Sequence, residues 1–276
     1  MGRLIMNNIS IKRKLINFFS DLLIGLFRLN RPNKLLSIFL ERIKPTGFLR
    51  TTAGVVKFNC SNELLWWRVD SFQEKEPDTI QWIENMQAGE VFCDIGANIG
   101  LYSMFAAKKG LKVISFEPEA LNYAELCRNI ALNQFHQVSP FNIAVSDKTG
   151  LISFKISNPY AGAANHQVEQ LNGFSAKQEP KQTVQGESFD NLVSRYGLPC
   201  PTHIKIDVDG LEYEIIKGLK ETLQNTTLKS ILIEIEENLA HSNEIVKEII
   251  SAGFILKNKT DYPYKINNYI FARPKP

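Results

Sequence analysis

The sequence lacks most of the short signatures that assign a protein at sight. Its four cysteines, Cys60, Cys93, Cys127 and Cys200, are far apart and form neither a CxxC pair nor a disulfide framework, which excludes a cysteine-stapled fold and points to a reducing setting. The four histidines are equally scattered, so no zinc-ligand spacing is visible. No long apolar run is present. The apolar stretch 16–29 is broken by Asp21 and Arg28 and is followed by no small-residue cleavage site. It therefore reads as neither a membrane span, which needs about 20 apolar residues, nor a signal peptide. Positive charge is also missing from most of the chain. Residues 1–50 hold ten Lys and Arg against Asp21 and Glu41, a net of +8, so the total of +3 leaves −5 for the remainder. A body of that sign lacks the basic face of a nucleic-acid binder.

What is present begins with that basic segment. Residues 9–29 and 33–43 read as two amphipathic helices split by Asn30, Arg31 and Pro32. Residues 1–47 are thus expected as a helical extension and 48–276 as the main domain. Within the latter, 48–67 reads as a hairpin or short meander broken at Asn59–Asn62, followed by a helix over about 77–86. Trp66 and Trp67, if extended, point to opposite faces, so at most one is buried, and the other either stacks on a sugar or packs. From residue 91 strand and helix alternate: strands at 91–95, 112–116, 139–145, 204–208 and 230–235, helices at 98–109, 119–133, 212–223 and 243–252, and two closing strands at 254–258 and 269–273. Near-continuous apolar strands between helices predict a parallel sheet covered on both faces. The polar stretch 158–185 breaks the rhythm and is expected to be a mobile, substrate-facing insertion.

Three segments carry chemistry. Asp94, Gly96, Asn98 and Gly100 follow the first strand, where an acid and two side-chain-free turns let backbone approach a ligand. The middle glycine of a dinucleotide loop is replaced by Asn98. S-adenosylmethionine (SAM) has no pyrophosphate to cradle and brings a cationic end that Asp94 would neutralise. Glu117, at the end of the second strand, is spaced to accept both ribose hydroxyls. In the third segment Lys205, Asp207 and Asp209 alternate with Ile and Val on a strand that should be buried, with Glu212 beyond. Buried charges require partners, so these groups must pair with one another, a ligand or a metal; a Lys205–carboxylate pair that merely pins the strand end satisfies the same rule.

DIGANIG, FEP, AVSDKTG and SFDNLV…IKIDVDGLEYEIIKG, in that order, resemble the FkbM family of SAM-dependent methyltransferases over roughly residues 48–273. The resemblance implies a Rossmann-like class I α/β fold with seven mostly parallel strands and O-methylation of sugar or polyketide hydroxyls. By position it implies cofactor contacts at Asp94, Gly96, Asn98, Gly100 and Glu117, with Ser146 and Asp147 beside the adenine. Asp209 stands where the family more often shows Glu, and the N-terminal helices fall outside the shared region.

Alignment of a hydroxyl with a sulfonium methyl is the enzyme's main task, and a positioned base helps. Asp207 is the expected base, with Lys205 pairing or polarising it, Glu212 orienting it, and Asp209 second. The rival device is a divalent metal on Asp207 and Asp209 with Glu234, Glu236 and Asn238. His241 is a further candidate base in a late loop. The whole reads as a cytoplasmic O-methyltransferase of a sugar in a glycan or glycolipid precursor. Residues 1–47 either lie on the inner face of an anionic membrane or pack on the domain or a second copy. Two rivals remain: a non-catalytic SAM-fold module docking a membrane or partner enzyme, and an NAD(P)-dependent oxidoreductase, which Asn98 and the lack of a Tyr-x-x-x-Lys pair disfavour.

Overall fold

The computed structural model describes residues 14, 17–22, 25, 38 and 41–274, apart from 157, 165–166, 170–180 and 263–264. It divides into two units, Met1–Pro45 and Thr46–Pro276. In the first, the described residues 14, 17–22, 25, 38 and 41–42 are helical; the rest of the two expected helices lies outside the described residues.

The second unit opens with a hairpin, β1 (Thr46–Thr51) and β2 (Gly54–Asn59). The expected strand beyond residue 62 is instead helix α1 (Glu63–Lys75), because Asn62 caps it by accepting from the Leu65 amide at 2.8 Å. Trp66 and Trp67 therefore sit on a helix, and both are exposed. α2 (Pro77–Glu84) follows, started by a proline at its first position.

The core is a seven-stranded sheet. β3 (Val91–Ile95), β4 (Lys112–Phe116) and β5 (Val138–Phe141) lie on one side of β10 (His203–Ile206). On its other side lie β11 (Ser230–Glu236), β13 (Ile266–Ala272) and β12 (Ile255–Lys259). The order is β12-β13-β11-β10-β3-β4-β5, with β13 antiparallel to both its neighbours and the other pairs parallel. The expected seven-stranded, mostly parallel architecture holds. One face buries Phe92, Val113 and Leu232 against α1, α2, α3 (Leu101–Lys108) and α4 (Ala120–Asn133). The other buries Cys93, Ile95, Ile206 and Ile233 against α5 (Phe189–Tyr196), α6 (Glu212–Lys217), α7 (Lys220–Gln224) and α8 (Ser242–Ser251). The hairpin is tied to α4 by Asn129 and Asn133, whose Oδ1 atoms accept from the amides of Asn59 and Lys57 at 2.8 Å.

Two expectations are corrected. The strand read over 139–145 divides: β5 stays in the main sheet, and β6 (Ala144–Ser146) joins a separate four-stranded sheet. That sheet, ordered β6-β9-β7-β8, contains β7 (Gly150–Lys155), β8 (Gln167–Glu169) and β9 (Lys181–Ser188). The 158–185 segment is therefore partly strand, although 165–166 and 170–180 of it lie outside the described residues. The long helix read over 212–223 is interrupted at Gly218, where a Cβ would strike the Ser146 carbonyl.

Candidate active site

The carboxyl ends of the central strands open into a cleft of about 250 Å³, the place where open α/β sheets bind ligands. Its loop is shaped by backbone that side chains resist: Gly96 has φ +84° and Asn98 φ +51°. A Cβ on Gly96 would collide with the Asp207 carbonyl oxygen, so glycine is what lets this loop pass the end of β10 and leave ligand-facing backbone. Gly100, also left-handed, caps α3 under the Leu126 side chain and does not line the cleft.

Glu117 faces the cleft from the end of β4. Its carboxylate accepts from the Asn98 amide at 2.7 Å and the Glu119 amide at 2.9 Å. Burial nevertheless raises its pKa to about 7, with these amides working against the shift. Each oxygen keeps a lone pair for a ligand hydroxyl. Ile143, Ala144 and Val145 supply an apolar wall on the same side. A carboxylate for two hydroxyls, a flat apolar wall and exposed loop backbone fit SAM.

Asp94 does not face this cleft as expected. It is 1% exposed, lies beside Lys205 and Ser115 in the strand register, and accepts from Ser103 Oγ at 2.6 Å. Its Oδ1 is buried without a hydrogen-bond partner, and burial raises its pKa despite Lys205 and Ser103. Asp94 thus acts beneath the loop, as part of the surroundings of Lys205. Ser146 is buried beside Asp147, which bonds Lys217 at 2.9 Å; neither is in the cleft wall.

The third segment does converge. Lys205 is 1% exposed, with Nζ 2.6 Å from Asp207 Oδ2 and 4.7 Å from the centre of the Tyr102 ring. Although burial opposes its charge, Asp207, Asp94 and Glu76 raise its pKa. Asp207 lies in the cleft wall with its pKa lowered: burial pushes it up, but Lys205 outweighs that. Asp209 also lines the cleft and is exposed. Glu212 is buried beneath, its carboxylate accepting from the Gly210 amide at 3.3 Å, and burial with the charges of Asp207 and Asp209 raises it to about 7. His241 stacks on Tyr213 with ring centres 4.3 Å apart, outside the cleft wall. Glu236 is exposed and Asn238 also lies outside the wall. Among the described residues no three His, Cys, Asp or Glu side chains gather to hold a metal ion.

Several site residues are absent from the sequence reading. Arg68 and Lys75 of α1 line the cleft, as do Glu119, Asn122 and Phe154. Residues 161–163 are strapped across this region by Asn62, Arg68, Asn98 and Asn122. Asn62 Nδ2 donates to Ala161 O at 3.0 Å, Asn98 Nδ2 and Asn122 Nδ2 to Ala163 O at 2.8 and 3.0 Å, and Arg68 Nε to Gly162 O. Glu234, weighed only as a metal ligand, lines the cleft opposite Asn268 in the strand register. Burial, then the charges of Asp207 and Glu76, push it to about 8 against Lys205 and Lys75. The strap and α1 come from parts of the chain without a motif, and polar residues on an amphipathic helix carry no signal of where they point.

A twisted sheet with one antiparallel strand next to its edge, a glycine loop after β3 and an acid after β4 define a class I, Rossmann-like methyltransferase architecture. The model of the Methyltransferase FkbM domain matches residues 94–256, and the chain belongs to that SAM-dependent family. Among curated relatives, the hexuronic acid methyltransferase AglP of Haloferax volcanii is 28% identical over 169 residues, 61% of this chain and 65% of that protein. The 2-O-methyltransferase NoeI of Sinorhizobium fredii is 26% identical over 147 residues, 49% of this chain and 60% of the relative. The chain thus spans less than two thirds of the length of either relative. A crystal structure of methyltransferase FkbM from Methylobacillus flagellatus aligns with a TM-score of 0.48 at 16% identity, over 68% of this chain and 44% of that one.

Proposed function

We propose that the chain transfers a methyl group from SAM to a hydroxyl of a sugar in a glycan or glycolipid precursor. The observation that carries this reading is one cleft lined by both Glu117 and Asp207, the latter paired with the buried Lys205 at the strand ends. The names of the two curated relatives support the sugar hydroxyl. When bound, the cofactor supplies an electrophilic methyl on a sulfonium. The protein's residues align the acceptor. Lys205 keeps Asp207 ionised, so Asp207 is a firm hydrogen-bond acceptor for the hydroxyl but a weak base. Glu234, higher in pKa and in the same wall, is better matched to take the proton. With SAM bound, Glu234 would take the hydroxyl proton as the oxygen accepts the methyl group and sulfur keeps the C–S electron pair. Asp209 stands at the mouth and Glu212 holds the turn beneath.

Residues 1–47 are assigned to peripheral contact with an anionic membrane. Their +7 balance supports this, each Lys or Arg near such a surface being worth about 1 kcal/mol. Phe18, Phe19 and Leu22 are exposed apolar residues of the helical segment 17–22. Among the described residues no helix is long and apolar enough to cross a membrane. Sedimentation with phosphatidylglycerol vesicles tests the contact: it should be lost on deleting residues 1–45, and retention would refute it.

The cofactor is tested by calorimetric titration with SAM, S-adenosylhomocysteine and NAD⁺. Binding of the first two, lost in Glu117→Ala, with none for NAD⁺, is expected. Binding indifferent to Glu117 would sink the reading.

A further inference from the structure

α1 brings a half-buried guanidinium to the cleft without giving it a countercharge in contact. Arg68 donates one hydrogen bond among the described residues, from Nε to the Gly162 carbonyl, and forms no ion pair there. Burial lowers its pKa although the charges of Asp207, Glu117 and Asp209 work the other way. A cation taken partly from water without a bonded anion is an unfavourable arrangement unless a ligand completes it. The guanidinium's Nη edge, left over once Nε is used, offers the geometry that carboxylate and phosphate match best.

Lys75, seven residues on and so two helical turns along, reaches the same cleft. Its Nζ is 3.2 Å from Glu76 but it remains half exposed. Between them Ser71, and before them Trp67, line the smaller chamber over Lys205 and Asp207. One helix face thus presents two cations, a hydroxyl and an exposed indole to a cleft whose other charged groups are mostly carboxylates. All four residues precede the segment 94–256 that the family shares, whereas Gly96, Asn98 and Glu117 fall inside it. Cofactor residues belong to the shared part; α1 is where this chain can write its own acceptor preference.

The geometry points to an anion subsite for the acceptor: Arg68 and Lys75 bind a negatively charged substituent of the sugar, a carboxylate or a phosphate, while Trp67 walls its ring. This rests on the methyltransfer reading above and names its substrate class. The anion anchors the sugar so that a neighbouring hydroxyl is the one presented to Asp207 and Glu234. Arginine and tryptophan are suited to this division, the first pairing bidentately and the second packing against the ring's C–H face.

The test is calorimetry on the full chain with methyl β-D-glucuronide, its neutral counterpart methyl β-D-glucoside, and glucose 1-phosphate, with and without saturating S-adenosylhomocysteine. Wild type should bind one of the anionic sugars at least about tenfold tighter than the glucoside, the worth of one charge-assisted pair. Which of the two binds identifies the source of the anion. Arg68→Gln should erase the preference, Lys75→Gln reduce it, and Arg68→Lys restore part of it, while S-adenosylhomocysteine affinity stays within about twofold. A wild type indifferent to sugar charge overturns the subsite. So does an Arg68→Gln variant that loses S-adenosylhomocysteine instead, which would assign the guanidinium to the cofactor's own carboxylate. Wild type that ignores S-adenosylhomocysteine yet prefers an anionic sugar would break the methyltransfer reading and leave the anion subsite standing.

Discussion

The two ends of the central sheet bury polar clusters of similar size and opposite character. At the amino end His203 Nδ1 lies 2.7 Å from Ser230 Oγ, and its Nε2 3.0 Å from Glu90. Trp82 Nε1 donates to the same serine at 2.9 Å, and Lys229 to Glu90 at 2.6 Å. Although burial opposes its charge, hydrogen bonds from Lys229, the Gln87 amide and His203 hold Glu90 at about 2. At the carboxyl end Glu117, Glu212 and Glu234 rise to about 7, 7 and 8, and Asp94 keeps an unpartnered oxygen. The first cluster completes itself. The second is left incomplete by the protein, as expected where a ligand supplies the missing partners.

The largest effect should come from Lys205→Met. It leaves Asp207 and Asp94 facing each other without the buried cation between them, a loss of about 3–5 kcal/mol in urea unfolding at pH 8. A variant as stable as wild type would mean that these carboxylates neutralise themselves and that the pair is not what holds the strand ends. Next in size is Glu117→Gln. Losing a charged acceptor for ligand hydroxyls should cost about 1.5–3 kcal/mol in S-adenosylhomocysteine affinity, roughly ten- to a hundredfold. In wild type the same affinity should rise with pH through about 7 and level off above it, since the ionised carboxylate is the better acceptor. A pH-independent affinity would detach Glu117 from the cofactor.

Ser230→Ala tests the other end. It strips the partner from both Trp82 Nε1 and His203 Nδ1, at about 1–3 kcal/mol of stability. Cofactor affinity should stay within about twofold. A large drop in affinity would erase the contrast between the ends, because the amino-end cluster would then also serve the ligand.

How much of this was legible beforehand follows from where the information sits. β3, β4, β10 and β11 were readable because strands buried on both faces are nearly all apolar, and the interruptions, Asp94, Lys205 and Asp207, announced themselves against Ile and Val. Their roles were less readable. The parallel register places Ser115, Asp94 and Lys205 side by side, which is why Asp94 lies beside Lys205 and away from the cleft wall. The second sheet escaped notice because Lys181–Ser188 is mostly polar and the sheet closes over only a small core of Ala144, Phe154 and Val184. Trp66 and Trp67 suggested a strand by their bulk, until the Asn62 cap fixed a helix. That helix then carries Arg68 and Lys75 into the site from a distance that no local motif spans.

The smallest effect separates the two ends by the sign of their pH response. Glu234 has a folded pKa of about 8, above the ordinary 4.5. Its contribution to stability is therefore complete below about pH 4.5 and is lost as the pH rises through about 8. Glu90, held at about 2, contributes stability above pH 4.5 that is lost as the pH falls through about 2. Glu234→Gln should accordingly melt above wild type at pH 9, with the difference shrinking toward pH 5, whereas Glu90→Gln should melt below wild type at pH 7, with the difference shrinking toward pH 2. Thermal unfolding of both variants across this range checks the signs together. If Glu234→Gln melted below wild type at pH 9, its carboxylate would already be satisfied within the protein, and the reason for treating it as the proton acceptor would go with it.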